Sequence, residues 1–296
     1  MNCPAVTETI VRWLKNYLLT NNQKGFVVGV SGGIDSALVS TLCSLTGKPV
    51  MLLTLPINQA ADQVTRGFDH IKWLKAFDSK KLEGSHEPWY RAEISSRDVD
   101  LTKTFEAIKG TLDIAVQRDE LAMANLQARL RMSTLYAYAG HLGYVVAGTG
   151  NKVEDFGVGF FTKWGDGAVD LSPIGDLSKS QVWELAEYLG ILESIRKAKP
   201  TDGLWGDNRS DEDQIGASYA ELEWAMGVCE SDPFISEGFD QKCDSYGFVD
   251  NSLPYSQTVN YTKRQRDVLL IYMKRHLQSR HKFEPIPVCK IPKVIL

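Results

Sequence analysis

The chain has 296 residues, of which 43% are hydrophobic and 24% charged, and its formal net charge is -4. That balance suits one large or two small globular units with a sizeable core. It argues against a general nucleic-acid binder, and no apolar run approaches the length of a membrane span.

The chain opens with an amphipathic helix, because Val6, Ile10, Trp13, Leu14, Tyr17 and Leu18 recur at helical spacing. Phe26 to Val30 is short, apolar and β-branched, as a buried parallel strand should be. Leu38, Leu42 and Leu45 then mark a helix that stops at Gly47. Pro49 to Leu55 reads as a second buried strand and Asp62 to Phe77 as a helix. Tyr90 to Ile94 is a weaker third strand, followed by helical patterns over Leu101 to Val116 and Glu120 to Gly140. Tyr144 to Ala147 is a fourth strand ending at Gly148-Thr149-Gly150. Gly157 to Gly175 reads as a long loop, and Ser178-x-x-Gln181 as a capping box that opens a helix. Pro200 to Asp213 is polar and loop-like, Ala217 to Val228 and Lys263 to Leu277 are helical, and the proline-bearing tail 283–296 is extended. Alternating strands and helices predict an α/β fold with a doubly wound parallel sheet flanked by helices, here over a single domain of residues 1–296.

Chemistry concentrates in Gly29-Val30-Ser31-Gly32-Gly33-Ile34-Asp35-Ser36, between the first strand and its helix. Two glycines let backbone approach a ligand closely, and the unpaired amides and dipole at the helix start favour phosphate. Asp35 places a carboxylate where a phosphate-bound Mg²⁺ needs one. The loop lacks the Gly-x-x-x-x-Gly-Lys pattern of the ordinary P-loop and the Gly-x-Gly-x-x-Gly of dinucleotide folds. It matches the Ser-Gly-Gly-x-Asp-Ser loop of the ATP pyrophosphatases, which cleave ATP between the α- and β-phosphates.

Other candidates are weaker alone. Glu154, after the fourth strand, could face Asp35, although a lone surface glutamate is usually just solvated. Arg129 and Arg131 are two apart on a helix, so at most one reaches the strand ends. The five cysteines, Cys3, Cys43, Cys229, Cys243 and Cys289, form no Cys-x-x-Cys pair. Free thiols in a reducing compartment are the simplest reading, and with no leader-like N-terminus they predict a cytoplasmic protein.

Together with Ala128-Arg129-Leu130-Arg131-Met132, Gly159-Phe160-Phe161-Thr162-Lys163-Trp164-Gly165-Asp166-Gly167, Leu177-Ser178-Lys179, Pro200-Thr201 and His281-Lys282, the loop resembles that of the NAD synthetases, within the amidotransferase-type ATP pyrophosphatases. The Phe-Phe-Thr-Lys string is the part most specific to them. The resemblance implies an adenine nucleotide alpha-hydrolase-like fold and ATP as co-substrate. It implies that Gly29 to Ser36, Thr149, Lys179 and Thr201 bind ATP, with Asp35 and Lys179 catalytic. It places Mg²⁺ on Asp35 and Glu154, and deamido-NAD on Arg129, Lys163, Asp170, His281 and Lys282. It implies a homodimer with no nucleic-acid or membrane partner. The implied reaction activates the nicotinate carboxylate of deamido-NAD as an acyl-adenylate, which ammonia attacks to give NAD and AMP. The loop begins at residue 31, too early for a preceding glutaminase domain, so free ammonia is the expected nitrogen donor.

Two rivals remain at this level. One is an ATP pyrophosphatase that adenylates a nucleotide or tRNA base; a tRNA modifier would favour a basic face and often paired cysteines. The other is a nucleotide-binding module without catalysis, which needs no pair of metal carboxylates.

Overall fold

In the computed structural model four parallel strands lie side by side in the order β3-β2-β1-β4. They are β1 (Phe26–Gly29), β2 (Val50–Thr54), β3 (Ile94–Asp98) and β4 (Val145–Val146). The structure describes residues 1–77, 92–201, 203–205, 209–231 and 260–291. Phe26 pairs with both Val50 and Val145, which fixes β1 at the centre of the register. A parallel bridge between Ala147 and Leu171 extends the β4 edge.

The inner strands β1 and β2, with β4, are buried because both faces of the sheet are covered there, and their residues alternate between two cores, while β3 at the edge is partly exposed. Phe26, Val28 and Leu52 join Leu14 of α1 (Cys3–Thr20), Leu38 and Leu42 of α2 (Ile34–Leu45), and Val182 and Leu185. Val27, Met51 and Leu53 face the other way, onto Phe105, Met123 and Ala139. The helix α3 (Ala61–Ala76) adds Ile71 and Leu74 to the first core. The second core is roofed by α4 (Thr102–Lys109), α5 (Ile114–Gln117) and α6 (Glu120–Leu142). Beyond β4 come a π-helical turn, Lys152–Val158, then α7 (Lys179–Tyr188), α8 (Glu193–Arg196), α9 (Asp211–Ile215), α10 (Tyr219–Ser231) and α11 (Lys263–Phe283). A third apolar cluster, with Val153, Val158, Leu222 and Leu269, binds the π-helical turn to α10 and α11.

Because β1 lies between β2 and β4, the winding reverses there. In open α/β sheets the crevice beyond the carboxyl ends of such neighbours is the ligand site. The segments that follow β1 and β4, Val30–Gly33 and Gly148–Gly150, both line that crevice.

Several boundaries differ from the sequence expectation. The expected helix over Leu101 to Val116 is two helices, because Gly110 closes α4 and Asp113 takes an extended backbone that no helix continues through. The expected loop from Gly157 begins inside the π-helical turn, which Asn151 caps by accepting hydrogen bonds from the amides of Val153 and Glu154. The third strand runs from Ile94 to Asp98; Tyr90 and Arg91 lie outside the described residues. The helix expected to end at Leu277 continues to Phe283, so His281 and Lys282 belong to its last turn. Residues 285–291 carry no helix or strand, and 292–296 lie outside the described residues, as does Cys243. No helix among the described residues is long and apolar enough to cross a membrane.

Candidate active site

The loop after β1 is built to hold oxygen anions. Gly32 has φ +84°, and a Cβ there would stand 2.2 Å from the Gln63 carbonyl oxygen, so only glycine fits. Ser36 Oγ accepts from the Ser31 amide at 3.2 Å and donates to the Gly33 carbonyl at 3.0 Å, closing the loop on itself. Gly33 caps α2 without any side-chain hydrogen bond, so the first-turn amides of α2 keep their donors for a ligand. They face a cavity of about 270 Å³ lined also by Thr149, Glu154, Lys179 and Thr201. Every residue expected to bind ATP borders this cavity.

Charge is concentrated at its floor. Lys179, at the start of α7, is 2% exposed. Its Nζ donates to Asp35 Oδ2 at 2.6 Å and to Glu154 Oε1 at 2.9 Å. Asn151 Nδ2 donates to Asp35 Oδ1 at 3.1 Å, so both aspartate oxygens are held. Burial works against the Lys179 ammonium, but the two carboxylates outweigh it and hold its pKa above the usual lysine value. Burial likewise pushes Glu154 up, and the Lys179 charge with the Tyr219 and Lys179 hydrogen bonds brings it below the usual carboxylate value. Asp35 differs: burial, with the Glu154 charge, raises its pKa above the usual carboxylate value although Lys179 opposes the shift. The three groups form one hydrogen-bonded carboxylate–ammonium–carboxylate cluster. Asp155, next in sequence, also lines the cavity, and burial, with the charges of Glu154, Asp166 and Asp35, raises its pKa well above normal. A Cβ on Gly150 would come within 1.9 Å of its Oδ2, so a side chain there would push the Asp155 carboxylate aside.

A second group of expected residues meets outside the cavity. Arg129 Nη2 donates to the Lys163 carbonyl at 3.2 Å, and Lys163 Nζ donates to the His281 carbonyl. Lys282 Nζ donates to the carbonyls of Gly159 at 2.7 Å and Phe161 at 2.9 Å. Gly159, at φ +62°, lets the last turns of α11 approach; a Cβ there would lie 2.0 Å from Ser279 Cβ. Arg129, Lys163, His281 and Lys282 are thus brought together by α6, the 159–163 segment and α11.

Asp170 is not part of that group. Its Oδ2 accepts from the Val146 amide at 2.7 Å and its Oδ1 from the Tyr136 hydroxyl at 3.1 Å, at the edge of β4.

Some cavity residues were not singled out by sequence. Arg131 lines the cavity, with Nε on the Leu55 carbonyl at 3.0 Å, while Arg129 points to the second group. The opposite-face argument gave one inward arginine but not which. Gln59 and Gln63 also line the cavity, joined by a 3.0 Å hydrogen bond; no motif marks them. Tyr219 and Asp211 stand behind Glu154, with the phenol oxygen 2.6 Å from Glu154 Oε1 and 3.0 Å from Asp211 Oδ2. The capping box that opens α9 at Ser210 was a readable signal for where Asp211 sits.

A family model described as NAD synthase matches residues 6–245. The chain belongs to the NAD synthase family. It is 40% identical over 231 residues to the NH(3)-dependent NAD(+) synthetase of Methanosarcina mazei, covering 78% of this chain and 84% of that protein. The corresponding protein of Carboxydothermus hydrogenoformans is 36% identical over 227 residues, 75% and 85% of the two lengths. Among solved structures, NMN synthetase from Francisella tularensis superposes with a TM-score of 0.73 at 26% identity, over 99% of each chain. The NAD synthase match includes the Ser31 loop, Glu154, Lys163, Lys179 and Thr201; His281 and Lys282 lie beyond the matched span.

Proposed function

We propose that this protein makes NAD by ATP-dependent amidation of deamido-NAD with ammonia, releasing AMP and pyrophosphate. The observation that carries the reading is the buried Asp35–Lys179–Glu154 cluster beneath an uncapped helix start, at the sheet's switch point, in a chain of the NAD synthase family. A carboxylate attacking the α-phosphate of ATP needs charge neutralisation and in-line placement more than a protein nucleophile. The site supplies those: glycine-loop amides, a buried ammonium and paired carboxylates. It gives neither rival a foothold, since the family is that of NAD formation.

The donor set fits Mg²⁺. Asp35 and Glu154, from different elements, converge on one cation, and magnesium usually takes one or two carboxylates with phosphate oxygens completing its shell. Among the described residues no cluster of three or more His, Cys, Asp or Glu forms a cage able to hold a metal without such help. When bound, the ion shields phosphate charge during attack and departure. With the carboxylates holding an ion, Lys179 would be free to donate to a phosphate oxygen, the role expected of it as a catalytic cation. Arg129, Lys163, His281 and Lys282 receive the dinucleotide, whose pyrophosphate and carboxylate match their charge. Asp170, which clamps the Val146 amide and the Tyr136 hydroxyl, contributes to deamido-NAD binding by holding the β4 edge. We further propose a single catalytic domain over residues 1–296, a homodimer and a cytoplasmic location.

Purified protein given ATP, Mg²⁺, ammonium and deamido-NAD should yield NAD and AMP, and glutamine should not replace ammonium. Absence of AMP would refute the reading. The full-length likeness to NMN synthetase makes one alternative specific, amidation of the mononucleotide. Running both acceptors in parallel decides it: a higher kcat/KM for the mononucleotide would replace deamido-NAD as the substrate.

A further inference from the structure

We propose that Tyr219 is a positioning residue of the ATP site, holding the Glu154 carboxylate in the orientation in which it takes up the metal ion. The inference rests on the assignment of Asp35 and Glu154 to Mg²⁺.

Tyr219 is 1% exposed, and its hydroxyl lies between two carboxylates, 2.6 Å from Glu154 Oε1 and 3.0 Å from Asp211 Oδ2. The phenol has one hydrogen, so it serves one carboxylate fully at a time. The shorter distance assigns that hydrogen to Glu154. Lys179 bonds the same oxygen, Oε1, so two donors fix one oxygen and Oε2 is the oxygen that Tyr219 does not hold. The ring does further work: its centroid lies 4.9 Å from Lys179 Nζ, and Trp183 packs edge-on at 6.0 Å. One side chain thus bounds both the glutamate and the ammonium.

The anchor comes from outside the cradle. Tyr219 is the first residue of α10, its amide donates to Glu212 Oε1 at 2.9 Å, and its ring belongs to the apolar cluster of α10 and α11. Glu154 sits on a π-helical turn, a wider winding common at functional sites, and has three side-chain torsions to restrain. Lys179 would not supply that restraint with a metal in place, because it is the cation such an ion would displace from the carboxylates. The phenol is neutral and stays.

The test is Mn²⁺ binding to the ATP complex, read by electron paramagnetic resonance without deamido-NAD, in wild type, Tyr219→Phe, Asp211→Asn and Glu154→Gln. Tyr219→Phe keeps the ring and removes the hydroxyl. It should weaken Mn²⁺ about tenfold, the loss of one hydrogen bond to a charged group. Metal-free ATP binding and the melting temperature should stay near wild type. Asp211→Asn leaves the phenol–Glu154 bond in place and should stay within about twofold. Wild-type Mn²⁺ affinity in Tyr219→Phe would overturn the proposal, as would a tenfold loss in Asp211→Asn. If Tyr219→Phe does not fold, the Asp211→Asn result alone decides, tenfold loss refuting and retention supporting. If Glu154→Gln keeps wild-type Mn²⁺ affinity, the metal assignment itself fails.

Discussion

The floor of the ATP cavity and the Arg129–Lys163–Lys282 group are both rich in charge, but they are built differently. At the cavity floor Asp35, Lys179 and Glu154 each have an opposite charge within hydrogen-bond reach, and Lys179 is buried. In the second group the cations donate to backbone carbonyls of Lys163, His281, Gly159 and Phe161. A carbonyl dipole binds a cation less strongly than an anion does. On the proposed reading the first region would exchange the Lys179 ammonium for a metal ion, with the two carboxylates as shared partners. The second gains an anion outright, and burial already lowers the Lys282 pKa, so a negative ligand relieves it. Exchange suits a metal nucleotide; net gain suits a dinucleotide with a pyrophosphate.

The sharpest way to break this contrast is to remove a carboxylate at the floor. Asp35→Asn or Glu154→Gln should cut turnover by about a hundredfold or more, the scale of losing a charge-stabilising group in an active site. Steady-state kinetics over a Mg²⁺ titration checks it, and near-normal turnover at limiting Mg²⁺ would remove that ligand. Lys179→Met should act in two directions. Turnover should collapse, while Mn²⁺ binding without nucleotide tightens about tenfold because two carboxylates lose their resident cation. Unchanged or weaker Mn²⁺ binding would show that no exchange occurs.

In the second region Arg129→Ala or Lys282→Ala should raise the KM for deamido-NAD by about ten- to a hundredfold and leave the KM for ATP nearly unchanged. The reverse pattern would merge the two regions into one ATP site.

The last effect is on stability rather than on turnover. His70 is fully buried, its Nε2 is 2.8 Å from Ser40 Oγ, and its Nδ1 has no hydrogen-bond partner. Burial pushes its pKa down to about 4. Below pH 6.5 the unfolded chain binds a proton that the folded chain refuses until about pH 4, so stability falls as pH drops through that window. The loss should approach about 3 kcal/mol by the lower end. Urea unfolding at pH 7 and pH 4.5 should show a steeper pH dependence in wild type than in His70→Gln; equal slopes would refute it.

What the sequence made legible was local. The β1–loop–α2 unit follows from an apolar run, two glycines and a helical repeat within 20 residues, all short-range signals. The floor was half legible, since Asp35 and Glu154 follow strand ends while Lys179 opens a capped helix. Tyr219 was not legible, because 65 positions separate it from Glu154 and packing of α10 alone brings them together. The π-helical turn was missed for a related reason: its winding depends on Asn151 and on contacts with α11, not on an apolar period. Asp170 shows the opposite failure. The motif that suggests a ligand contact also serves a backbone clamp, and only coordinates separate the two uses.

Gly33 has a consequence for anyone stabilising this protein. Its backbone, φ -90° and ψ 163°, is open to every amino acid, and a Cβ there would meet nothing closer than Ser31 Oγ at 3.3 Å. Asparagine or serine would cap α2 and add a few tenths of a kcal/mol. The same side-chain oxygen would occupy the seat of a phosphate. A screen for heat resistance would thus favour Gly33→Asn while a screen for activity discards it, a trade between durability and catalysis located in one missing side chain.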